Sequence, residues 1–160
     1  MIEPSDPLAL EDVQMIVGMI KLNLRYGQRK TAIELGLGLL SDAYLETATR
    51  IIIQTVIGIE YGVLGQHEQA LLLLTEAFEL ALLSPYIDVD MLIASGHGLT
   101  RAQIALGDVT AAKQTMQLLD TTLMPPGDLK ASLVSAEQLL SHRELTDEIE
   151  SLINECPSKD

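Results

Sequence analysis

Apolar positions recur along this chain at helical spacing, in long stretches that one short polar signature interrupts three times. The interruptions are Gly27-Gln28-Arg29-Lys30-Thr31-Ala32, Gly65-Gln66-His67-Glu68-Gln69-Ala70 and Gly107-Asp108-Val109-Thr110-Ala111-Ala112. Each is a Gly, then a mostly polar stretch, then an Ala five positions on. The glycines stand 38 and then 42 residues apart. This spacing predicts helices over about 8–26, 29–41, 45–64, 67–84, 88–106 and 109–122. Asp42, Pro85 and Gly127 mark breaks between units. Pro125-Pro126-Gly127 ends the sixth helix, and Asp128 can cap a seventh that runs to about Leu140. Ser141, with Glu144 three residues on, can cap a short eighth.

The physical sense of the signature is a helical hairpin. One helix ends, Gly takes the left-handed conformation at its C-terminus, and a second helix starts within a few residues. The small Ala near the start of the second helix lets it approach the first closely. Neighbouring hairpins then stack and bury a continuous core that no single hairpin could bury.

The middle copy resembles the tetratricopeptide-repeat pattern at Gly58, Tyr61, Gly65, Ala70, Leu74 and Ala77. In that family the first small residue admits the neighbouring helix, the Tyr packs across the hairpin, and the Gly makes the turn. The series Ala, large apolar residue, Ala then forms the inner face of the second helix. Pro85 comes three residues later than the pattern places it, which implies about one extra turn of helix. The first copy keeps Gly27 and Ala32 but has Ile20 and Asn23 for Gly and Tyr, Gly36 where a large apolar residue belongs, and Leu39 for the last Ala. Leu35 or Leu37 is the candidate to fill the place that Gly36 leaves empty. The third copy keeps Gly107, Ala112 and Met116, with Thr100, Gln103 and Leu119 as departures. The resemblance spans Leu10 to Met124. It implies an all-α fold: a TPR-like solenoid of about three helical hairpins plus C-terminal capping helices over its open end. The expected organisation is a flexible N-terminus over 1–8, repeats over 9–124, capping helices over 125–154 and a disordered tail over 155–160.

Composition narrows the function. Leu, Ala and Ile dominate, Trp is absent and there is one Phe, which favours helix over strand. Ten basic against 23 acidic residues give a net charge of −13. An acidic surface repels nucleic acid and anionic lipid, so neither is an expected partner. The apolar segment from Ile51 to Leu64 is interrupted by Gln54 and Glu60 and falls short of a membrane span. Met1 to Leu10 lacks the basic start and apolar run of a signal peptide. The single Cys156 has no internal partner, which fits a reducing compartment.

No enzyme constellation stands out, so no catalytic residue, metal or cofactor is expected. His67, His97 and His142 are far apart in sequence with no metal-ligand spacing, and His67 reads as a solvated turn residue. Gly36-Leu37-Gly38 lies inside a predicted helix with no preceding strand, so it is no phosphate loop. Asp147, Glu148 and Glu150 read as a solvated helix face. Met15, Met19, Met91, Met116 and Met124 could form an adaptable surface, but at helical spacing they read first as core.

In tetratricopeptide repeats the first helix of each pair lines a concave face. Carried over by offset from the turn glycine, the client-binding groove would draw on Val17, Lys21, Leu24 and Arg25, then Ile52, Thr55, Ile59 and Val63, then His97, Arg101 and Ile104. Val17, Leu24, Ile52, Ile59, Val63 and Ile104 would make an apolar floor, with Lys21, Arg25 and Arg101 around it. Residues such as Ile52 and Ile59 could equally be core. Val17, Val56 and Ala94 stand at places where the carboxylate clamp of some such proteins needs Asn and Lys, so an acidic C-terminal peptide is not the expected ligand. In size, charge and architecture the chain resembles the small tetratricopeptide chaperones of type III secretion. That resemblance implies a cytoplasmic protein without ATP chemistry that shields a secreted, hydrophobic client. The alternative is a structural adaptor that binds a folded partner on its convex or end surfaces. Self-association is left open.

Overall fold

A computed structural model describes residues 8–84, 88–123 and 136–155. Seven helices are described: α1 (Leu10–Arg25), α2 (Arg29–Leu40), α3 (Thr47–Val63), α4 (His67–Leu83), α5 (Val89–Ala105), α6 (Val109–Leu123) and α7 (Ala136–Glu155). No strand occurs among the described residues. The fold is therefore all-α, and the first six helices begin and end within about two residues of the predicted bounds.

The three turn signatures fold alike. Gly27, Gly65 and Gly107 have φ of 75°, 79° and 84°, the left-handed region that a Cβ disfavours. After each glycine the next backbone N–H reaches back five residues. Gln28 donates to the Asn23 carbonyl at 2.8 Å, Gln66 to Tyr61 at 2.9 Å and Asp108 to Gln103 at 2.9 Å. The glycine N–H groups donate to Leu24, Gly62 and Ile104 at 3.0–3.1 Å. This pair of bonds satisfies the carbonyls that a helix end leaves open. The signature alanines Ala32, Ala70 and Ala112 each donate to the residue after the glycine at 3.1 Å, which opens the second helix.

Between α2 and α3 the chain turns at Asp42, whose carboxylate accepts the Tyr44 N–H at 3.0 Å. Arg50 clamps this turn by donating to the carbonyls of Leu40 and Asp42.

Each helix packs on the next from α1 to α6, and α5 also packs on α3 and on α7. This order is compatible with stacked hairpins. The core forms in two lobes. Val13, Ile20, Ala32, Ile33, Leu39, Ile53 and Ile57 join α1, α2 and α3. Ala70, Leu74, Phe78, Leu92, Leu99, Ala102 and Leu119 join α4, α5 and α6. Tyr61 packs against both lobes and links them.

Gly36 explains the irregular first copy. It is buried, and a Cβ built there would overlap the Ile57 side chain. Ile57 thus fills from α3 the space that the sequence pattern would fill from α2. Leu35 is half-buried against the same lobe and Leu37 is exposed, so neither takes that place alone.

The C-terminal expectation is corrected. Where a seventh helix to about Leu140 and a short eighth from Ser141 were expected, α7 runs without a break through Ser141 and Glu144. Glu155 ends that helix, so it does not belong to the tail. The inward side of α7 carries His142, Leu145, Ile149 and Leu152, spaced three, four and three residues apart. That continuous stripe outweighs the local capping signal. The expectations at 1–7, Pro85, Met124, Pro125-Pro126-Gly127, Asp128, Cys156 and the rest of the tail lie outside the described residues.

Candidate functional site

Two first-in-pair helices, α3 and α5, meet α4 and the last helix around one cavity. It measures about 420 Å³ and is walled by Gly58, Ile59, Gly62 and Val63 of α3, His67, Ala70 and Leu74 of α4, Gly98, Arg101 and Ala102 of α5, and Leu152 of α7. Glycines let its walls pack closely on one another. A Cβ on Gly58 would come within 2.6 Å of Leu74 Cγ, and one on Gly98 within 3.3 Å of Ile59 Cγ1. α3 and α5 therefore lie close enough for Leu74 to floor the cavity from beneath. Val63 is 58% exposed and Ile59 37%, so both present apolar surface to solvent at its mouth.

Arg101 sits on the rim. Its guanidinium donates to the Glu148 carboxylate of α7 at 2.7 Å. Both side chains are largely exposed, so this pair contributes at most about 1 kcal/mol. Glu148 and Leu152 stand one turn apart on α7. One grips the rim charge and the other faces the apolar cavity. The end of α7 thus already lies against this face as a helix.

Of the eleven groove residues expected from the sequence, the structure gathers Ile59, Val63 and Arg101 at this cavity. Thr55 and His97 are buried, so neither faces an open groove. Val17 and Leu24 are half-buried against the first core lobe, while Lys21 and Arg25 are exposed on α1. Ile52 lines a separate small cleft of about 60 Å³ with Met91 and Ala81. Ile104 is half-buried and away from the cavity wall.

The histidines correct the sequence reading more sharply. His97 of α5 and His142 of α7, 45 residues apart, hydrogen-bond through Nε2 and Nδ1 at 2.9 Å. His142 Nε2 bonds Asp120 Oδ1 of α6 at 2.5 Å. The anionic carboxylate accepts, so His142 carries its proton on Nε2 and its Nδ1 accepts from His97. His97 Nδ1 is then left buried with no hydrogen-bond partner among the described residues. The rings are 3% and 1% exposed and meet at 58°. Burial, then the neighbouring His142 and Arg101, push the His97 pKa from 6.5 down to about 4. The two rings are enclosed, and the hydrogen-bonded chain reaches solvent at Asp120, whose side chain is 46% exposed. This chain works as a polar joint that fixes α7 to α5 and α6. Gln138 adds a bond to Asp90 at 3.0 Å near the start of α7.

A second cavity of about 430 Å³ lies between α6 and α7, where Met116, Ile149 and Ile153 are rimmed by Lys113, Asp120 and Glu150. It is more polar and contains none of the expected groove residues. Met116 is buried and Met91 half-buried, as expected of core, whereas Met15 and Met19 are exposed. Among the described residues no cluster of three or more His, Cys, Asp or Glu could hold a metal ion. No described helix is long and apolar enough to cross a membrane. No protein-family model matches the chain, and no curated protein or solved structure matches it significantly.

Proposed function

We propose that this chain is a protein-binding module that receives an apolar segment of a partner polypeptide in the cavity between α3, α4, α5 and α7. The observation that carries this reading is the exposed pair Ile59 and Val63 at the mouth of a cavity floored by Leu74 and rimmed by Arg101. Apolar surface held open to water, with room beneath it for side chains, suits an apolar ligand. Burial of that surface contributes about 25 cal/mol per Å², less the cost of ordering the client. Shielding follows directly, because a client segment held there cannot associate with its own kind. The chain's size, its net charge of −13 and its helix order support the narrower reading of a cytoplasmic chaperone of the type III secretion kind.

The test is calorimetry against a partner first captured by wild-type protein. Ile59→Glu and Val63→Glu should weaken binding strongly while helicity is unchanged, because a carboxylate facing an apolar client loses its hydration without gaining a partner. Arg101→Glu, at the rim, should act more mildly, through association rate and salt sensitivity. Full affinity in both folded groove variants, with loss in Glu76→Lys on α4, would instead support the adaptor.

A further inference from the structure

One exposed apolar face has no role in the cavity. On α1, Met15, Met19, Leu22 and Tyr26 follow one another at steps of four, three and four residues. All four are exposed, from 43% at Met19 to 72% at Tyr26. The opposite side of the helix carries Val13 and Ile20 into the core. Such spacing is that of a two-helix seam, in which alternate steps of three and four keep apolar residues against a partner helix.

The flank of this seam identifies its occupant. Glu11, Gly18 and Arg25 stand seven residues apart, along one edge of the stripe. A Cβ on Gly18 would meet nothing within 4 Å, so the middle of the edge is open. The edge is acidic at one end, basic at the other and bare at its centre. It is therefore its own complement when reversed. We propose that two copies of this chain pair through α1, antiparallel and two-fold symmetric about Gly18. Glu11 then faces Arg25 of the partner copy, and Arg25 faces its Glu11. In the seam Met15 meets the partner's Met19, and in the same register Leu22 comes opposite the partner's Asp12 at the seam's edge. An isologous contact of this kind needs one self-complementary patch and closes at two subunits. The overall charge of −13 makes most faces of two copies repel, and α1 is a place where the sign alternates along one edge. A uniformly basic partner would meet repulsion at Arg25 and Lys21, which a second reversed copy does not.

The test is sedimentation velocity of the full chain over a concentration series, with circular dichroism as the fold control. Wild type should sediment as a dimer that dissociates on dilution. Met19→Glu should raise the dissociation constant by roughly tenfold or more, because the seam would bury an unpaired carboxylate. Glu11→Arg and Arg25→Glu should each weaken the dimer, since each sets like charges opposite one another. The double variant Glu11→Arg/Arg25→Glu should regain dimerisation, because the reversed edge is again self-complementary. Val63→Glu should leave the dimer intact, which separates this proposal from the cavity reading. Three results would overturn it: a monomer at every concentration, a dimer indifferent to Met19→Glu, or a double variant no better than its parents. A wild-type monomer that loses its client on Met19→Glu would overturn it too, by assigning the face to that client.

Discussion

Acidification should loosen this fold through one side chain. His97 is neutral in the native state because it is buried, with His142 and Arg101 beside it. In the unfolded chain it takes a proton more readily. Between its unfolded pKa of 6.5 and its native value of about 4, the unfolded state therefore binds more protons, and stability falls as pH falls through that window. Above 6.5 the contribution is fully present, and below 4 the loss is complete. The shift from 6.5 to about 4 corresponds to roughly 3 kcal/mol as a ceiling, of which about 2 kcal/mol should go between pH 7 and pH 5. The charged and titratable groups around the ring are Arg101 on α5, Asp120 on α6, and His142 and Glu148 on α7. Asp120 engages His142, and Glu148 engages Arg101 at the surface. Neither carboxylate hydrogen-bonds His97 itself. The informative quantity is a difference between wild type and a variant without the imidazole. His97→Gln keeps a donor for His142 Nδ1 but does not titrate. Urea unfolding followed by circular dichroism at pH 7 and pH 5 should show wild type losing about 2 kcal/mol more than His97→Gln. Equal losses in the two proteins would refute a buried neutral His97, and with it the joint that holds α7.

Two further changes test the packing. Gly65→Val should cost roughly 1–3 kcal/mol in urea unfolding, because a β-branched residue is strained at a φ of 79°; unchanged stability would mean the turn does not adopt that conformation. Ala77→Leu should cost about 1–3 kcal/mol by overpacking a fully buried site, and a neutral outcome would contradict the close approach of α4 to its neighbours.

The parts of the fold that depend on neighbours in sequence were legible. Gly27, Gly65 and Gly107 fixed three helix ends, because a left-handed residue and its two back-bonds need only a few consecutive residues. Ala70, Leu74 and Ala77 are all buried, as the helical period required. Gly36 was misleading because its missing side chain is replaced by Ile57, which arrives from another helix. Met15 and Met19 share the spacing of core residues, and a period alone does not say which side of α1 meets the rest of the molecule. The cavity was legible in part. Offsets found Ile59, Val63 and Arg101, but they also selected Thr55 and His97, which the folded chain buries. The loss of His97 from the groove traces to α7. Its partnership with His142 spans 45 residues and has no local signal. The stripe His142, Leu145, Ile149 and Leu152 was the sign that one helix, and not two, would dock there.

The central claim is that a client sits between α3, α5 and the end of α7, and site-specific photocrosslinking measures this directly. A benzophenone side chain would be introduced at Val63, at the cavity mouth, and separately at Leu72, exposed on α4 outside the cavity wall. Each protein would be irradiated with the partner captured by wild type, after dichroism has shown both to be folded. Crosslinking from position 63 with little from position 72 is the predicted result. Crosslinking from position 72 with none from position 63 would contradict the account and move the binding surface to another face of the molecule.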